Sequence, residues 1–273
     1  MTTDQALLEK YDRLKDYMVT MGSALVAFSG GVDSTFLLYA AKDALGDKAV
    51  AATISSMFFP GHEFAEAMDF CRHIGARQLI IEVDVLGKEE ISSNPPDRCY
   101  HCKKTLFTTL LETAKKEGLS CVCEGSNLDD KSDYRPGMKA VAELGVKSPL
   151  EDVGFTKAEI RALSEHFHLP TYNKPSFACL ASRIPYGEKI TDEKLTKIAD
   201  GEQLLMELGF KQFRVRCHGN IARIELLPTD FERFMSDDIR EKVYEHFKHT
   251  GFSYVTLDIR GYRTGSLNET LKK

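Results

Sequence analysis

Short apolar runs alternate with amphipathic stretches over the first two thirds of the chain. Four of these runs predict buried strands, at 24–28, 49–55, 78–85 and 121–126. Before, between and after these runs, apolar residues recur at helical spacing. They predict helices at 4–21, 33–45, 62–74, 99–117 and 156–168. Strands that are apolar on both sides and alternate with helices are typical of an α/β fold, a parallel sheet with helices on both faces.

The pattern changes after about residue 186. A connection rich in proline and glycine spans 170–187 and separates the two parts of the chain. Beyond it, the spacing predicts helices at 190–208 and 229–249 and strands at 212–217, 221–227 and 253–259. We therefore expect two domains, an α/β domain at 1–186 and a small α+β domain at 187–273.

The charge balance argues against a protein that grips nucleic acid. Lys and Arg number 36 against 41 Asp and Glu, which gives a formal net charge of −5, whereas nucleic-acid binding depends on basic surfaces. No apolar run approaches the ~20 residues of a membrane helix, and the first residues, MTTDQ, lack the apolar core of a secretory signal. We expect a cytoplasmic protein that binds neither nucleic acid nor membrane. Its seven cysteines then argue against a disulfide framework.

A glycine-rich turn follows the first predicted strand and opens a helix. It consists of Ser29, Gly30, Gly31, Val32, Asp33, Ser34 and Thr35. Glycines let backbone N–H groups approach an anion closely, and a helix N-terminus favours negative charge. The serine and threonine hydroxyls add donors, and the carboxylate of Asp33 suits a magnesium ion that bridges phosphates. The turn therefore predicts a phosphate-binding loop; the alternative is a strand–turn–helix connection without a ligand.

This loop resembles the SGGxDS loop of the ATP pyrophosphatase (PP-loop) superfamily, which splits ATP into AMP and pyrophosphate. The resemblance implies an adenine nucleotide α-hydrolase-like fold, with ATP and Mg²⁺ bound at the loop. A second segment, Gly125-Ser126-Asn127, follows the fourth predicted strand. In PP-loop enzymes the equivalent strand end closes over the nucleotide, and an acid there, here Asp129 or Asp133, shares the metal. Alone, this segment is only a turn signal.

Cys179 lies in the loop-rich connection, where catalytic groups are often found. Arg183 is four residues further on, a spacing at which it would steady a phosphate or carboxylate and favour the thiolate. PP-loop enzymes adenylate an oxygen that ammonia or sulfur then displaces, and the cysteines of this chain favour sulfur. Taken alone, Cys179 is better explained as a buried cysteine that acts as a small apolar residue.

Several motifs together resemble the LarE family, the ATP-dependent sulfur transferases that make the nickel-pincer nucleotide cofactor. They are the PP-loop, EGSNLDD at 124–130, DYRPG at 133–137, KPxxACLxSRI at 174–184 and the Arg-x-Arg of the second domain. The resemblance implies adenylation of pyridinium-3,5-biscarboxylic acid mononucleotide and attack by sulfur to give a thiocarboxylate. It also implies catalytic roles for Cys179, Ser182 and Arg183, a substrate-binding or oligomerisation role for the second domain, and a homo-oligomer.

Two sulfur sources occur in this family. In one, the cysteine at the position of Cys179 gives up its sulfur, becomes dehydroalanine and is consumed; in the other, three cysteines hold an iron–sulfur cluster that delivers a non-core sulfide. Cys99 and Cys102 stand at the start of a predicted helix, so their thiols share one face. Together with Cys179 they leave one iron of a [4Fe-4S] cluster open to sulfide, which is our assignment. The alternatives are zinc with His101, a persulfide relay, a catalytic disulfide and no role at all.

Two arginines, Arg214 and Arg216, share one face of a predicted strand. Adjacent guanidinium groups repel unless an anion lies between them, and a mononucleotide phosphate would fit. The resemblance favours this substrate phosphate, with Glu202 and Glu225 as ligands of a divalent metal beside it. The alternative is a strand face whose charge Glu225 balances from the next strand.

The remaining cysteines are assigned to structural positions. Cys121 and Cys123 alternate across Val122 and face one side of a predicted strand, so core packing is their expected role. Cys71 lies on an amphipathic helix and Cys217 ends a strand, and both are assigned to packing.

Two other functions remain open. A tRNA thiolase uses the same ATP and sulfur chemistry, but the acidic balance and the lack of an added basic RNA module count against it. A non-catalytic nucleotide sensor explains the loop but leaves the cysteines and the arginine pair without a purpose.

Overall fold

The computed structural model describes residues 5–59, 61–132, 136–175 and 178–271. The chain forms two compact units. The first comprises residues 1–85 and 97–177, and the second comprises 86–96 and 178–273. The domain boundary predicted between residues 186 and 187 stays a prediction. No described helix is long and apolar enough to cross a membrane.

The strands and helices are numbered along the chain. The strands are β1 Ala24–Ala27, β2 Ala49–Ser55, β3 Arg77–Glu82, β4 Cys121–Cys123, β5 Phe213–His218, β6 Ile221–Leu226 and β7 Tyr254–Leu257. The α-helices are α1 Gln5–Met21, α2 Val32–Leu45, α3 Gly61–His73, α4 Glu89–Ser92, α5 Arg98–Lys116, α6 Pro136–Glu143, α7 Pro149–Val153, α8 Lys157–His166, α9 Asp192–Glu207, α10 Phe231–Phe234 and α11 Asp237–His249.

The first unit is built on a parallel sheet in the order β3-β2-β1-β4. Its central strand β1 pairs with β2 and β4, with Ala24 opposite both Ala49 and Cys121. Successive side chains of β1 point to opposite faces. Leu25 packs in a cluster with residues of α5 and α6, whereas Val26 packs in a cluster with residues of α1, α2 and α8. The expected α/β fold with helices on both faces is confirmed.

One strand of this sheet differs from the prediction of strands buried on both sides. The side chains of β3 are exposed or half-buried, and none is fully buried; Ile80 is exposed. The reason is topological, because β3 pairs only with β2 and forms an edge of the sheet.

The second unit contains a three-stranded sheet in the order β5-β6-β7. Strands β5 and β6 are antiparallel, and β6 and β7 are parallel. Residues 86–96 belong to this unit, where the side chain of Asn94 donates hydrogen bonds to the carbonyl oxygens of Ile184 and Pro185 at 3.2 and 2.7 Å. The sheet and its helices agree with the expected small α+β part.

The predicted single helix at 229–249 is wrong. The segment forms a 3-10 turn at Pro228–Asp230, then α10, then α11. Ser236 has extended backbone angles at the N-cap of α11, and Asp237 and Asp238 occupy its first turn. These residues favour a new helix start, because acidic groups stabilise a helix N-terminus.

Candidate active site

The glycine-rich turn connects β1 to α2 at the carboxyl edge of the parallel sheet. Gly30 has φ +75°, and a Cβ atom there would lie 3.3 Å from the carbonyl oxygen of Glu63. Both the backbone angle and the close approach require glycine. Gly31 is the N-cap of α2 and has no side chain to occupy the first-turn N–H groups. The turn therefore presents backbone donors where parallel sheets bind ligands.

Three hydroxyl groups line this turn. The Ser34 hydroxyl donates to the carbonyl oxygen of Gly31 at 3.2 Å and lies 3.2 Å from the Ser29 hydroxyl. Thr35 is 0% exposed. Its Oγ1 has no hydrogen-bond partner within the described ranges. The structure thus brings the Ser29 and Ser34 hydroxyls together, whereas the Thr35 hydroxyl is buried apart from any partner within the described ranges.

The carboxylate of Asp33 contacts two polar side chains from other elements. Lys157 Nζ donates to its Oδ2 at 2.5 Å, and the amide of Asn127 donates to its Oδ1 at 3.3 Å. Burial raises the pKa of Asp33, and the charge of Lys157 opposes that increase. The backbone N–H of Lys157 donates to Asp129 at 2.8 Å. Both carboxylates predicted to hold magnesium therefore contact Lys157, and their oxygen atoms are ligands of the kind Mg²⁺ prefers.

The segment after β4 packs directly against the turn. A Cβ atom on Gly125 would lie 3.1 Å from the backbone nitrogen of Ser34 and 3.2 Å from the carbonyl carbon of Asp33. Ser126 is held in place by the buried Glu124, to which its backbone N–H and hydroxyl donate at 3.1 and 2.8 Å. The two segments that the sequence predicted to meet the nucleotide are therefore adjacent.

Two lysines of this site were missed as site residues in the sequence. Lys157 begins α8, and Lys174 Nζ donates to the carbonyl oxygen of Gly30 at 3.1 Å and to Glu66 at 2.6 Å. Lys174 is the first residue of the KPxxACLxSRI motif, and that position in the motif could have identified it as a site residue. Lys157 follows a helix N-cap, and nothing in the sequence around it indicates a contact with Asp33. The predicted metal acid Asp133 lies outside the described residues.

Cys99 and Cys102 are the second and fifth residues of α5 and are half-buried. The Arg98 guanidinium is 3.8 Å from the Cys99 sulfur, and a nearby cation and a helix N-terminus both favour a thiolate. The donor chemistry of this pair fits an iron–sulfur ligand set. Cys179 belongs to the second unit, so the three-cysteine site stays a prediction.

Cys179 is the N-cap of a 3-10 turn at Leu180–Arg183, and Arg183 fixes that turn. Arg183 is 0% exposed. Its guanidinium donates two hydrogen bonds to Glu202, both at 2.8 Å. It also donates to the carbonyl oxygens of Ala178 and Cys179 at 2.6 and 3.1 Å and to the Ser182 hydroxyl at 2.9 Å. Arg183 therefore sets the backbone around Cys179.

Arg216 makes a second buried fork with a carboxylate. Its guanidinium donates to the two carboxylate oxygens of Glu225 at 3.1 and 3.0 Å and to the carbonyl oxygen of Ser182 at 2.7 Å. This is the charge balance from the next strand that the sequence left open as an alternative to an anion. Arg214 lies opposite Glu225 in the strand register, and its guanidinium stacks 5.0 Å from the Tyr262 ring. Burial, followed by the nearby charge of Arg183, lowers the pKa of Arg214.

Glu202 and Glu225 were predicted to hold a divalent metal. Glu202 already accepts two hydrogen bonds from Arg183, and Glu225 accepts two from Arg216. Within the described ranges, no three His, Cys, Asp or Glu side chains are grouped in a way that would hold a metal ion. The predicted metal role of these two glutamates stays a prediction.

The parallel sheet, the glycine-rich turn and the Gly125–Asn127 segment define a PP-loop ATP pyrophosphatase. No protein-family model matches the chain. It is 38% identical over 249 residues to a pyridinium-3,5-bisthiocarboxylic acid mononucleotide synthase of Lactiplantibacillus plantarum, covering 91% of this chain and 90% of that protein. The chain belongs to this synthase family, the LarE family.

Two other relatives agree with this placement. An uncharacterized protein of Synechocystis is 40% identical over 267 residues, which cover 98% of this chain and all of that protein. A tRNA-specific 2-thiouridylase of Xanthobacter autotrophicus is 28% identical over 188 residues, which cover 55% of this chain and 48% of that protein. The chain is an enzyme, an ATP-dependent sulfurtransferase.

Proposed function

We propose that the enzyme adenylates a carboxylate of pyridinium-3,5-biscarboxylic acid mononucleotide and replaces AMP by sulfur. The carboxylate oxygen attacks the α-phosphate of ATP, and pyrophosphate leaves. A sulfur nucleophile then attacks the acyl carbon, AMP leaves, and a thiocarboxylate forms. The observation that carries this proposal is the 38% identity over 91% of the chain to the synthase of that name.

In this proposal the first unit binds ATP. The backbone N–H groups at Gly30–Val32 and the hydroxyls of the turn contact the phosphates, while Gly125–Asn127 closes beside them. The Oγ1 of Thr35 is buried and has no hydrogen-bond partner within the described ranges. Buried polar groups without a partner are rare in proteins, so a phosphate oxygen is a suitable acceptor.

Asp33 and Asp129 would hold Mg²⁺. The metal would neutralise charge on the phosphates and favour departure of pyrophosphate. Lys157 would favour the ionised form of Asp33, because its ammonium opposes the increase in pKa caused by burial. Lys174 would fix the carbonyl group of Gly30, to which it donates.

Cys99, Cys102 and Cys179 would hold a [4Fe-4S] cluster, which supplies an open iron for a sulfide and so a reusable sulfur nucleophile. Arg183 would orient the Cys179 backbone through its carbonyl contacts. The alternative is donation by Cys179 of its own sulfur, which consumes one enzyme chain for each sulfur transferred.

The second unit would bind the substrate phosphate. Arg214 and Arg216 are the donors proposed for it, with Glu202 and Glu225 beside them. Glu225 engages the Arg216 guanidinium through both of its carboxylate oxygens. In this proposal Glu225 positions the Arg216 guanidinium, and Glu202 positions that of Arg183.

The test is formation of AMP and pyrophosphate from ATP with the pyridinium mononucleotide as substrate, with or without sulfide. We expect pyrophosphate release to require the mononucleotide and to fall at least a hundredfold in D33N. The exposed D69N is the matched control and keeps wild-type release. Release that is independent of the mononucleotide would contradict the proposed substrate.

A second candidate is thiolation of tRNA, favoured by the similarity to the 2-thiouridylase. The net charge of −5 argues against it, because RNA affinity rests on basic contacts. Pyrophosphate release stimulated by tRNA in a salt-dependent manner, and not by the mononucleotide, would favour this candidate.

A further inference from the structure

Three sulfur atoms meet at the start of β4, away from the Gly125–Asn127 segment that follows its end. Cys121 and Cys123 lie on one face of the strand, and their sulfur atoms are 3.8 Å apart. The Cys123 sulfur is 3.6 Å from the thioether sulfur of Met21, the last residue of α1. All three belong to the first unit.

These separations match a metal–sulfur triangle. A metal bound to three sulfur atoms at about 2.3 Å, a typical metal–thiolate bond length, holds those atoms about 4 Å apart. The two observed separations, 3.8 and 3.6 Å, need only small side-chain movements to meet this value. Ligands from two thiolates and one thioether select soft monovalent copper.

The strand geometry opposes the other reaction open to two thiols. Cys121 pairs with Ala24 and Cys123 with Val26 in the parallel sheet, so the segment is extended. Residues two apart in a strand have Cα atoms about 6.6 Å apart, near the upper limit for a disulfide. A disulfide would strain the strand, whereas a metal bridges the sulfur atoms at the distance they already have.

The surroundings also suit a metal that enters from one side. Cys121 is half-buried and Cys123 is buried, and Met21 is half-buried. A metal would therefore enter at Cys121, the more exposed of the two cysteines.

We propose that Met21, Cys121 and Cys123 form a binding site for one Cu(I) ion. Binding releases the thiol protons to solvent, and the resulting complex of one copper, two thiolates and one thioether carries a net charge of −1. The ammonium of Lys147, whose backbone pairs with Cys123, offsets part of this charge. No oxidation or reduction takes place.

The test is anaerobic titration with Cu(I) in competition with a chromophoric chelator such as bicinchoninate. The full chain carrying C99S, C102S and C179S serves as the parent, because the thiols of the proposed cluster site would compete for a soft metal. We expect the parent to take one Cu(I) per chain and to lose it in C121S/C123S. M21L, which conserves volume, should keep the stoichiometry but bind at least tenfold more weakly.

The matched control is C71S/C217S in the same parent, which removes two other buried thiols and should keep the Cu(I). X-ray absorption on the copper complex should find three sulfur neighbours at about 2.3 Å. If C121S/C123S does not fold, C121S and M21L test the site singly. Copper binding that is unchanged in C121S, tighter binding of Zn(II) than of Cu(I), or a ready Cys121–Cys123 disulfide in air would each overturn the proposal.

Discussion

Replacing Gly125 by alanine tests whether the segment after β4 and the glycine-rich turn form one nucleotide site. Gly125 has no unusual backbone angle, so the substitution acts only through the added methyl group. That group would lie 3.1 Å from the Ser34 nitrogen, 3.2 Å from the Asp33 carbonyl carbon and 3.3 Å from the Asp33 Cβ. Ordinary contacts are longer, so the turn must move by a few tenths of an ångström.

Overpacking of this kind costs about 1–3 kcal/mol. The displaced atoms belong to the N-terminus of α2, which we propose binds the ATP phosphates. A change of 1.4 kcal/mol corresponds to about tenfold in affinity, so the Kd for ATP should rise on the order of tenfold in G125A. Isothermal titration calorimetry with Mg²⁺ and ATP measures it, and thermal unfolding reports the accompanying stability change.

Gly61 provides the matched control, because a Cβ atom there meets no atom within 4 Å. G61A should bind ATP as the wild type does. Wild-type ATP affinity in G125A, with G61A also unchanged, would refute the reasoning that these two segments bind the nucleotide together.

Two further predictions concern buried charges. In K157M the pKa of Asp33 should rise further, because the opposing cation is lost. The acid limb of the pH profile for ATP-dependent pyrophosphate release should therefore move to higher pH. An acid limb that does not move would contradict this role of Lys157. In E225L the buried Arg216 loses its carboxylate partner, so denaturant unfolding should show a loss of about 3–5 kcal/mol. E117Q breaks an exposed ion pair and should cost less than about 1 kcal/mol; equal losses in the two variants would contradict the assignment of Arg216 to a buried pair.

The glycine-rich turn was predictable because its chemistry is local. Gly30 and Asp33 lie within a few residues of a strand end and a helix start. Short-range patterns of this kind can be recognised from the sequence. The contacts that tune the turn are not local. Lys157 is 124 residues from Asp33, and Lys174 is 144 residues from Gly30. No periodicity links residues so far apart, and only the folded sheet brings them together.

The arginine pair shows a different limit. The sequence places Arg214 and Arg216 on one strand face, which suggested an anion between two cations. It left open whether an anion or Glu225 on the next strand balances their charge. The strand register places Glu225 opposite Arg214, while its carboxylate turns to Arg216. Likewise, the sequence suggested that Arg183 would steady a phosphate or carboxylate and favour the Cys179 thiolate. In the fold its guanidinium donates to Glu202.

Sulfide delivery by a cluster and donation by Cys179 differ in the yield of thiocarboxylated mononucleotide per enzyme chain, measured anaerobically with ATP, Mg²⁺ and sulfide. We expect more than one thiocarboxylate per chain, an unchanged protein mass, and loss of multiple turnover in C99A. A yield limited to one per chain, with the protein lighter by one hydrogen sulfide at Cys179, would contradict delivery of sulfide by a cluster. The absence of any thiocarboxylate would contradict the proposed reaction itself.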